Sequence, residues 1–169
     1  MFGSPSSVWI GGRADLNREW TWSDNTTTFY YSNWNSGEPN NANNNEYCLS
    51  IQRQNGHWND DNCGDSKPYV CSVLKSNAYP GSTPPNPKNC PVGYQPIGPS
   101  CFKAVSDMKT YADAKTACAQ DKGSFGYAGL ATIIDVHENS YLIAMMNEVS
   151  QPTKSSWIGL YYDNSLTPE

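Results

Sequence analysis

The sequence predicts an α+β fold: two helices, short antiparallel strands, long loops and disulfide staples. Three observations lead there. Charged residues make up only 16% of the 169, so the polarity comes largely from Asn, Ser, Thr and Gly, which favour turns. Six cysteines, an even number, occur in this loop-rich chain without a Cys-x-x-Cys pair. That pattern reads as disulfides in an extracellular compartment rather than as zinc or thioredoxin chemistry. Helical periodicity is confined to the second half of the chain, whereas strand-like alternation comes in short runs.

The elements follow in order. Trp20-Thr21-Trp22 reads as a small strand, and residues 47–51 and 69–73 alternate in strand fashion. Between the strands lie Asn-rich loops, among them Asn41-Ala42-Asn43-Asn44-Asn45, read mostly as a solvated turn. Residues 76–89 hold four prolines, Pro80, Pro84, Pro85 and Pro87, among Gly and Ser, which makes an extended linker that is neither helix nor central strand. A helix is expected over 111–122, with Thr110 as cap, Asp113 in the first turn and Gly123 as stop. Its apolar face is Tyr111, Ala114 and Cys118. A second helix is expected over 136–149, opened by an Asp135/Glu138 capping box. Leu142, Met145, Met146 and Val149 recur on it at helical spacing, with the methionines as core filler. A strand at Ser156-Trp157-Ile158-Gly159-Leu160 resembles Val8-Trp9-Ile10-Gly11-Gly12 at the other end.

Charge and hydropathy exclude other classes. The net charge is −5, with no Lys/Arg run to track a phosphate backbone, so nucleic acid is not an expected partner. No apolar run approaches the roughly 18–20 residues of a membrane span, so no membrane insertion is expected of this chain. Residues 1–20 carry no signal-peptide pattern, and residues 1–7 read as a fragment end. Asn25-Thr26-Thr27 is an N-glycosylation sequon and fits an extracellular setting.

The chemistry concentrates between residues 38 and 60. Glu38-Pro39-Asn40, Glu46 and Trp58-Asn59-Asp60 supply three carboxylates and two side-chain amides. Calcium takes six to eight oxygen ligands in flexible geometry, and every one of these groups offers oxygen. A carboxylate and an amide two residues apart point the same way on an extended backbone. Pro39 stiffens the turn between them, and a cis bond there would set its direction. Cys48 and Cys63 bracket Asn59-Asp60 and can pin it near Glu46.

Residues 8–73 resemble the C-terminal half of a C-type lectin-like domain. The resemblance is carried by Trp9-Ile10-Gly11, Trp20-Thr21-Trp22-Ser23-Asp24, Tyr31-Ser32-Asn33-Trp34, Gly37-Glu38-Pro39-Asn40, Glu46-Tyr47-Cys48, the run from Gly56 to Cys63 with Trp58-Asn59-Asp60, and Pro68-Tyr69-Val70-Cys71. Residues 90–160 resemble the opposite half through Cys90-Pro91, Gly93-Tyr94, Cys101-Phe102-Lys103, Ala114 to Cys118, Leu130-Ala131-Thr132-Ile133 and Trp157-Ile158-Gly159-Leu160. The halves stand in inverted order. The expected organisation is therefore a tandem-array fragment: residues 1–75 as a C-terminal half-domain with the site, 76–89 as linker, and 90–169 as an N-terminal half-domain.

The resemblance implies a function and a mechanism. Glu-Pro-Asn implies the mannose type, which takes mannose, glucose, N-acetylglucosamine or fucose; the galactose type usually carries Gln-Pro-Asp. Calcium (Ca2+) would be held by Glu38, Asn40, Glu46, Asn59 and Asp60, with the Asp60 backbone carbonyl. The implied partners are glycans with equatorial 3- and 4-hydroxyls. Each hydroxyl would donate to an acid (Glu38, Glu46) and accept from an amide (Asn40, Asn59). A second calcium set would draw on Asp15, Glu19 and Glu46, although Asn41 and Tyr47 stand where acids are usual. The implied disulfides are Cys48–Cys63 and Cys90–Cys101. Cys71 and Cys118 lose their usual partners in the fragment but pair with each other if it closes as a circular permutant or as a swapped dimer. The linker, at up to about 3.3 Å per residue, is long enough to join the ends. One Trp-Ile-Gly segment is then surplus, and the two compete for one strand position.

Two rival classes are weighed. An enzyme is disfavoured: His57 and His137 lie on different segments, no nucleophile motif is present, and calcium would occupy the carboxylates Glu38 and Glu46 that a glycosidase would need. A calcium-independent protein-binding or structural lectin-like module is the stronger rival, since a fold does not dictate a function.

Overall fold

The computed structural model describes residues 6–74, 90–121 and 128–149. The expected linker, the stop at Gly123 and the strand at 156–160 lie outside the described residues.

Strand β1 (Ser7–Ala14) holds the Trp-Ile-Gly motif at the middle of the sheet. Its alternation divides two cores. Val8 and Ile10 face one cluster with Trp22, Leu49, Ile51 and Trp58, while Trp9 faces the other with Tyr69, Tyr111 and Cys118. Gly11 is required where it stands: a Cβ there would lie 2.8 Å from the Leu130 carbonyl oxygen. Its N–H donates to the Ala131 carbonyl at 2.8 Å.

Strand β2 (Trp20–Trp22) pairs with β1. Strands β3 (Cys48–Gln52) and β4 (Trp58–Asp61) form an antiparallel hairpin in which Leu49 faces Asp60 and Ser50 faces Asn59. Gly56 lies in its turn at φ +72°, and a Cβ there would run into Ile143. Strand β5 (Lys67–Leu74) runs parallel to β1 through Trp9 and Tyr69.

The later residues complete the same sheet. Strand β6 (Gln95–Ile97) pairs with β7 (Ser100–Lys109), and β7 pairs antiparallel with β5 from Lys67↔Lys109 to Leu74↔Ser100. After helix α1 (Tyr111–Gln120), strand β8 (Ala128–Leu130) pairs with β5 as well. Among the described residues the order is β4-β3-β1-β5-β7-β6, with β2 and β8 attached at β1 and β5. Strands β1 to β5 before the linker and β6 to β8 after it therefore share one mixed sheet. Strands β6, β7 and β8 were not expected, because β7 ends in half-exposed and exposed residues with no clean alternation and the other two have three residues each.

Both helices match their sequence signals. Thr110 Oγ1 accepts from the Asp113 N–H at 3.2 Å to open α1. Tyr111, Ala114 and Cys118 are its buried residues. Helix α2 (Val136–Val149) begins at Asp135, whose Oδ1 accepts from the Glu138 N–H at 2.9 Å. The reciprocal bond differs from a standard capping box: Glu138 Oε2 accepts from the Ile134 N–H rather than from that of Asp135. Leu142, Met145 and Met146 are buried in the Trp58 cluster as expected. Burying large side chains of this kind contributes about 1.5–3 kcal/mol each.

Three disulfides close the fold: Cys48–Cys63, Cys71–Cys118 and Cys90–Cys101. Cys71–Cys118 joins β5 to α1 within one chain. Asp24 adds a polar tie, accepting from both Thr26 and Thr27 N–H groups at 2.9 Å and from the Thr132 hydroxyl at 3.0 Å. Among the described residues no helix is long and apolar enough to cross a membrane.

Candidate functional site

The five donors expected between residues 38 and 60 lie in one connected hydrogen-bond network. Asp60 is its anchor. It follows buried Trp58 by two positions in β4, so the pleat turns both side chains inward, and Asp60 is fully buried. Its Oδ1 accepts from the Asn40 N–H at 3.0 Å and its Oδ2 from the Asn41 N–H at 2.9 Å. The 38–41 loop thus hangs from a carboxylate on the hairpin.

Within the loop, Gly37 takes φ +86° and the Glu38-Pro39 bond is cis. Asn40 Nδ2 donates to Glu38 Oε1 at 2.9 Å. The Ala42 N–H is shared between Asn40 Oδ1 and Glu46 Oε2, both at 2.8 Å. Asn59 completes the network, its Nδ2 donating to the Asp60 carbonyl at 2.6 Å. That contact sets the Asn59 side chain beside the backbone oxygen expected to share its ligand role.

The Asn41–Asn45 run is the solvated turn expected over its exposed residues 42–45, and only Asn41 departs from it. The run forms one 3₁₀ turn over Ala42–Asn44, with Asn41, Asn43 and Asn44 at left-handed φ values that asparagine tolerates. Asn41 is structural: its Oδ1 accepts from the Glu46 N–H at 3.1 Å.

The electrostatics favour a cation. Burial raises the Glu38 carboxyl above the usual range, and the hydrogen bond and charge of Asp60, then the charge of Glu46, raise it further. Glu46 is raised first by burial, then by Asp60 and Asp61, against a lowering from the Ala42 N–H and Arg18. Among the described residues no three His, Cys, Asp or Glu side chains cluster as a metal site. Two of the five donors here are amides. The mutually repelling oxygens of Glu38 and Glu46, with Asn40 and Asn59 beside them, fit the all-oxygen preference of calcium, while the Asp60 carboxylate is already engaged by two N–H groups and a guanidinium.

Arg18 was missed by the sequence reading, which considered only its acidic neighbours Asp15 and Glu19. Its Nη2 lies 2.5 Å from Asp60 Oδ2, and its Nη1 donates to the Glu46 carbonyl. Asp15 instead caps its own loop, accepting from the Asn17 N–H at 2.9 Å and the Glu19 N–H at 2.8 Å. His137 is exposed near Asp135, and the His57 backbone helps close the β3–β4 hairpin through the Gln52 N–H.

Residues 3–73 match the family model described as the lectin C-type domain. Relatives extend the likeness. The chain is 30% identical over 167 residues to human C-type mannose receptor 2, covering 95% of this chain and 10% of the receptor. It is 46% identical over 74 residues to the C-type lectin lectoxin-Enh5 of Pseudoferania polylepis, covering 41% of this chain and 46% of that protein. A solved structure of the EPNH mutant of CEL-I is 34% identical, covers 34% of this chain and 41% of that one, and aligns with a TM-score of 0.32. The chain thus spans a minor part of the relatives it matches. The model match over residues 3–73 and the curated relatives support the C-type lectin family, with which the two helices, mixed sheet and three disulfides accord.

Proposed function

We propose that this chain is a calcium-dependent carbohydrate-binding module of the mannose type. The observation that carries the reading is the network above: Glu38, Asn40, Glu46, Asn59 and Asp60 joined through hydrogen bonds anchored on one buried carboxylate. Bound calcium would supply a Lewis-acidic centre for two vicinal hydroxyls. The chain's own part is orientation. Glu38 and Glu46 offer acceptors, Asn40 and Asn59 offer donors, and Asp60 holds the loop that presents them. A reader of this kind suits equatorial 3- and 4-hydroxyls, whose lone pairs and protons alternate in register with those groups. One shallow site binds weakly, so function calls for multivalency.

The same reading covers the chain's organisation. Residues 1–75 and 90–169 are inverted half-domains from a tandem array, joined by a linker at 76–89. Closure as a permuted monomer makes the β5–β7 pairing and the Cys71–Cys118 bond within one chain; a swapped dimer would make them between two. A single alignment to one receptor across 95% of the chain supports the tandem origin. Three disulfides favour an extracellular setting.

Mannose-agarose retention tests the function. Retention in calcium with release by chelator is expected. Equal behaviour with and without chelator would exclude the calcium mechanism and favour the calcium-independent protein-binding module.

A further inference from the structure

We propose that Arg18 is a resident cation of the binding loops, bridging Asp60 and Glu46 so that the 38–46 segment is folded without a metal ion at that junction. The inference rests on the reading of this segment as the binding site.

Asp60 has a fully buried carboxylate, and a buried charge is retained only when it is paired and hydrogen-bonded. Arg18 supplies the pair at 2.5 Å. The guanidinium fork suits two-point contact. One arm meets the Asp60 carboxylate, and the other meets the Glu46 carbonyl. Its carbon lies 5.3 Å from the Tyr47 ring centre and 5.7 Å from that of Trp20, so aromatic faces hold the charge as well. The Arg18 backbone takes φ 67°, an uncommon conformation for a residue with a side chain. Its N–H donates to the Asp15 carbonyl at 3.1 Å.

The consequence reaches the donors. The carboxylate that Arg18 holds also receives the N–H groups of Asn40 and Asn41. Arg18 is therefore a positioning residue: it fixes Asp60, and Asp60 fixes the loop. Of the acids Asp15, Glu19 and Glu46 that a second calcium would use, Glu46 already feels the charge of this guanidinium, and Asp15 is committed to its own turn. The chain should bind one calcium ion, not two.

Amide hydrogen exchange on the full chain in EDTA tests this without any loaded site. Wild type should protect the Asn40 and Asn41 amides in chelator. Arg18→Ala should accelerate exchange at both by about tenfold or more, while Val70 in β5 stays protected. Arg18→Lys keeps the charge without the two-point bridge and should also accelerate them; it serves as the readout if Arg18→Ala does not fold. Wild-type exchange at Asn40 and Asn41 in either variant overturns the proposal. So does a wild-type chain that protects these amides only in calcium, or calcium titration giving two ions. A chain that binds no calcium yet protects both amides overturns the proposed function and supports the role of Arg18.

Discussion

The indole nitrogen of Trp58 donates to Asn139 Oδ1 at 2.8 Å, across 81 residues of chain. Asn139 Nδ2 in turn donates to the Gly56 carbonyl at 3.1 Å. Both asparagine bonds are buried, and Trp58 directly precedes Asn59 and Asp60. Helix α2 is therefore fastened to the hairpin that carries two of the five donors. Asn139→Ala should cost about 1–3 kcal/mol in urea denaturation, because it leaves the buried indole N–H unpaired beside a small cavity, while the Gly56 carbonyl keeps the Asn33 Nδ2 donor at 2.7 Å. A loss under about 0.5 kcal/mol would mean that Trp58 finds another acceptor.

Cys71–Cys118 closes the longest disulfide loop described, with a sequence separation of 47. The double variant Cys71→Ser/Cys118→Ser should lose about 3–4 kcal/mol by the loop-entropy relation. Peptide mapping without reductant should find this pair in a monomeric wild type. An intermolecular Cys71–Cys118 bond would establish the swapped dimer instead.

Glu138 titrates far from its ordinary range. Burial, then the nearby Asp135 charge, push its carboxyl up to about 7, against a lowering from the Ile134 N–H. Folding therefore favours the protonated acid. Below about pH 4.5 the group is protonated in both folded and unfolded chains, and its contribution is fully present. Between about 4.5 and 7 only the unfolded chain ionises, so stability falls as pH rises, by an amount on the order of 1–3 kcal/mol. Glu138→Gln, measured by denaturation at pH 4.5, 6 and 7.5, should flatten that slope. An unchanged slope would assign it to another group.

Glu38 and Asn40 are bonded to each other, Nδ2 to Oε1 at 2.9 Å. The exchange Glu38→Gln/Asn40→Asp retains that bond with donor and acceptor reversed. Preference should shift from mannose toward galactose by about fivefold or more, equivalent to one hydrogen bond of ordinary strength. Competitive elution with the two sugars measures it. An unaltered order of elution would mean that these residues do not read hydroxyl geometry.

The sequence by itself determined what is local. Residue type and spacing singled out five oxygen-bearing side chains, whose reading as a calcium set came from the family resemblance, and determined the cap at Thr110, the helix over 136–149 and the burial of Met145 and Met146. These depend on side-chain chemistry and on a repeat of a few residues. The tertiary structure decided what joins distant stretches: Arg18 on Asp60, Asn139 on Trp58, β7 beside β5, and Val8 to Gly12 in the central strand. None has a local signal. An arginine between two acids looks like a solvated turn, and a polar residue on a helix looks exposed, until packing removes the water and leaves a carboxylate or an indole N–H needing a partner.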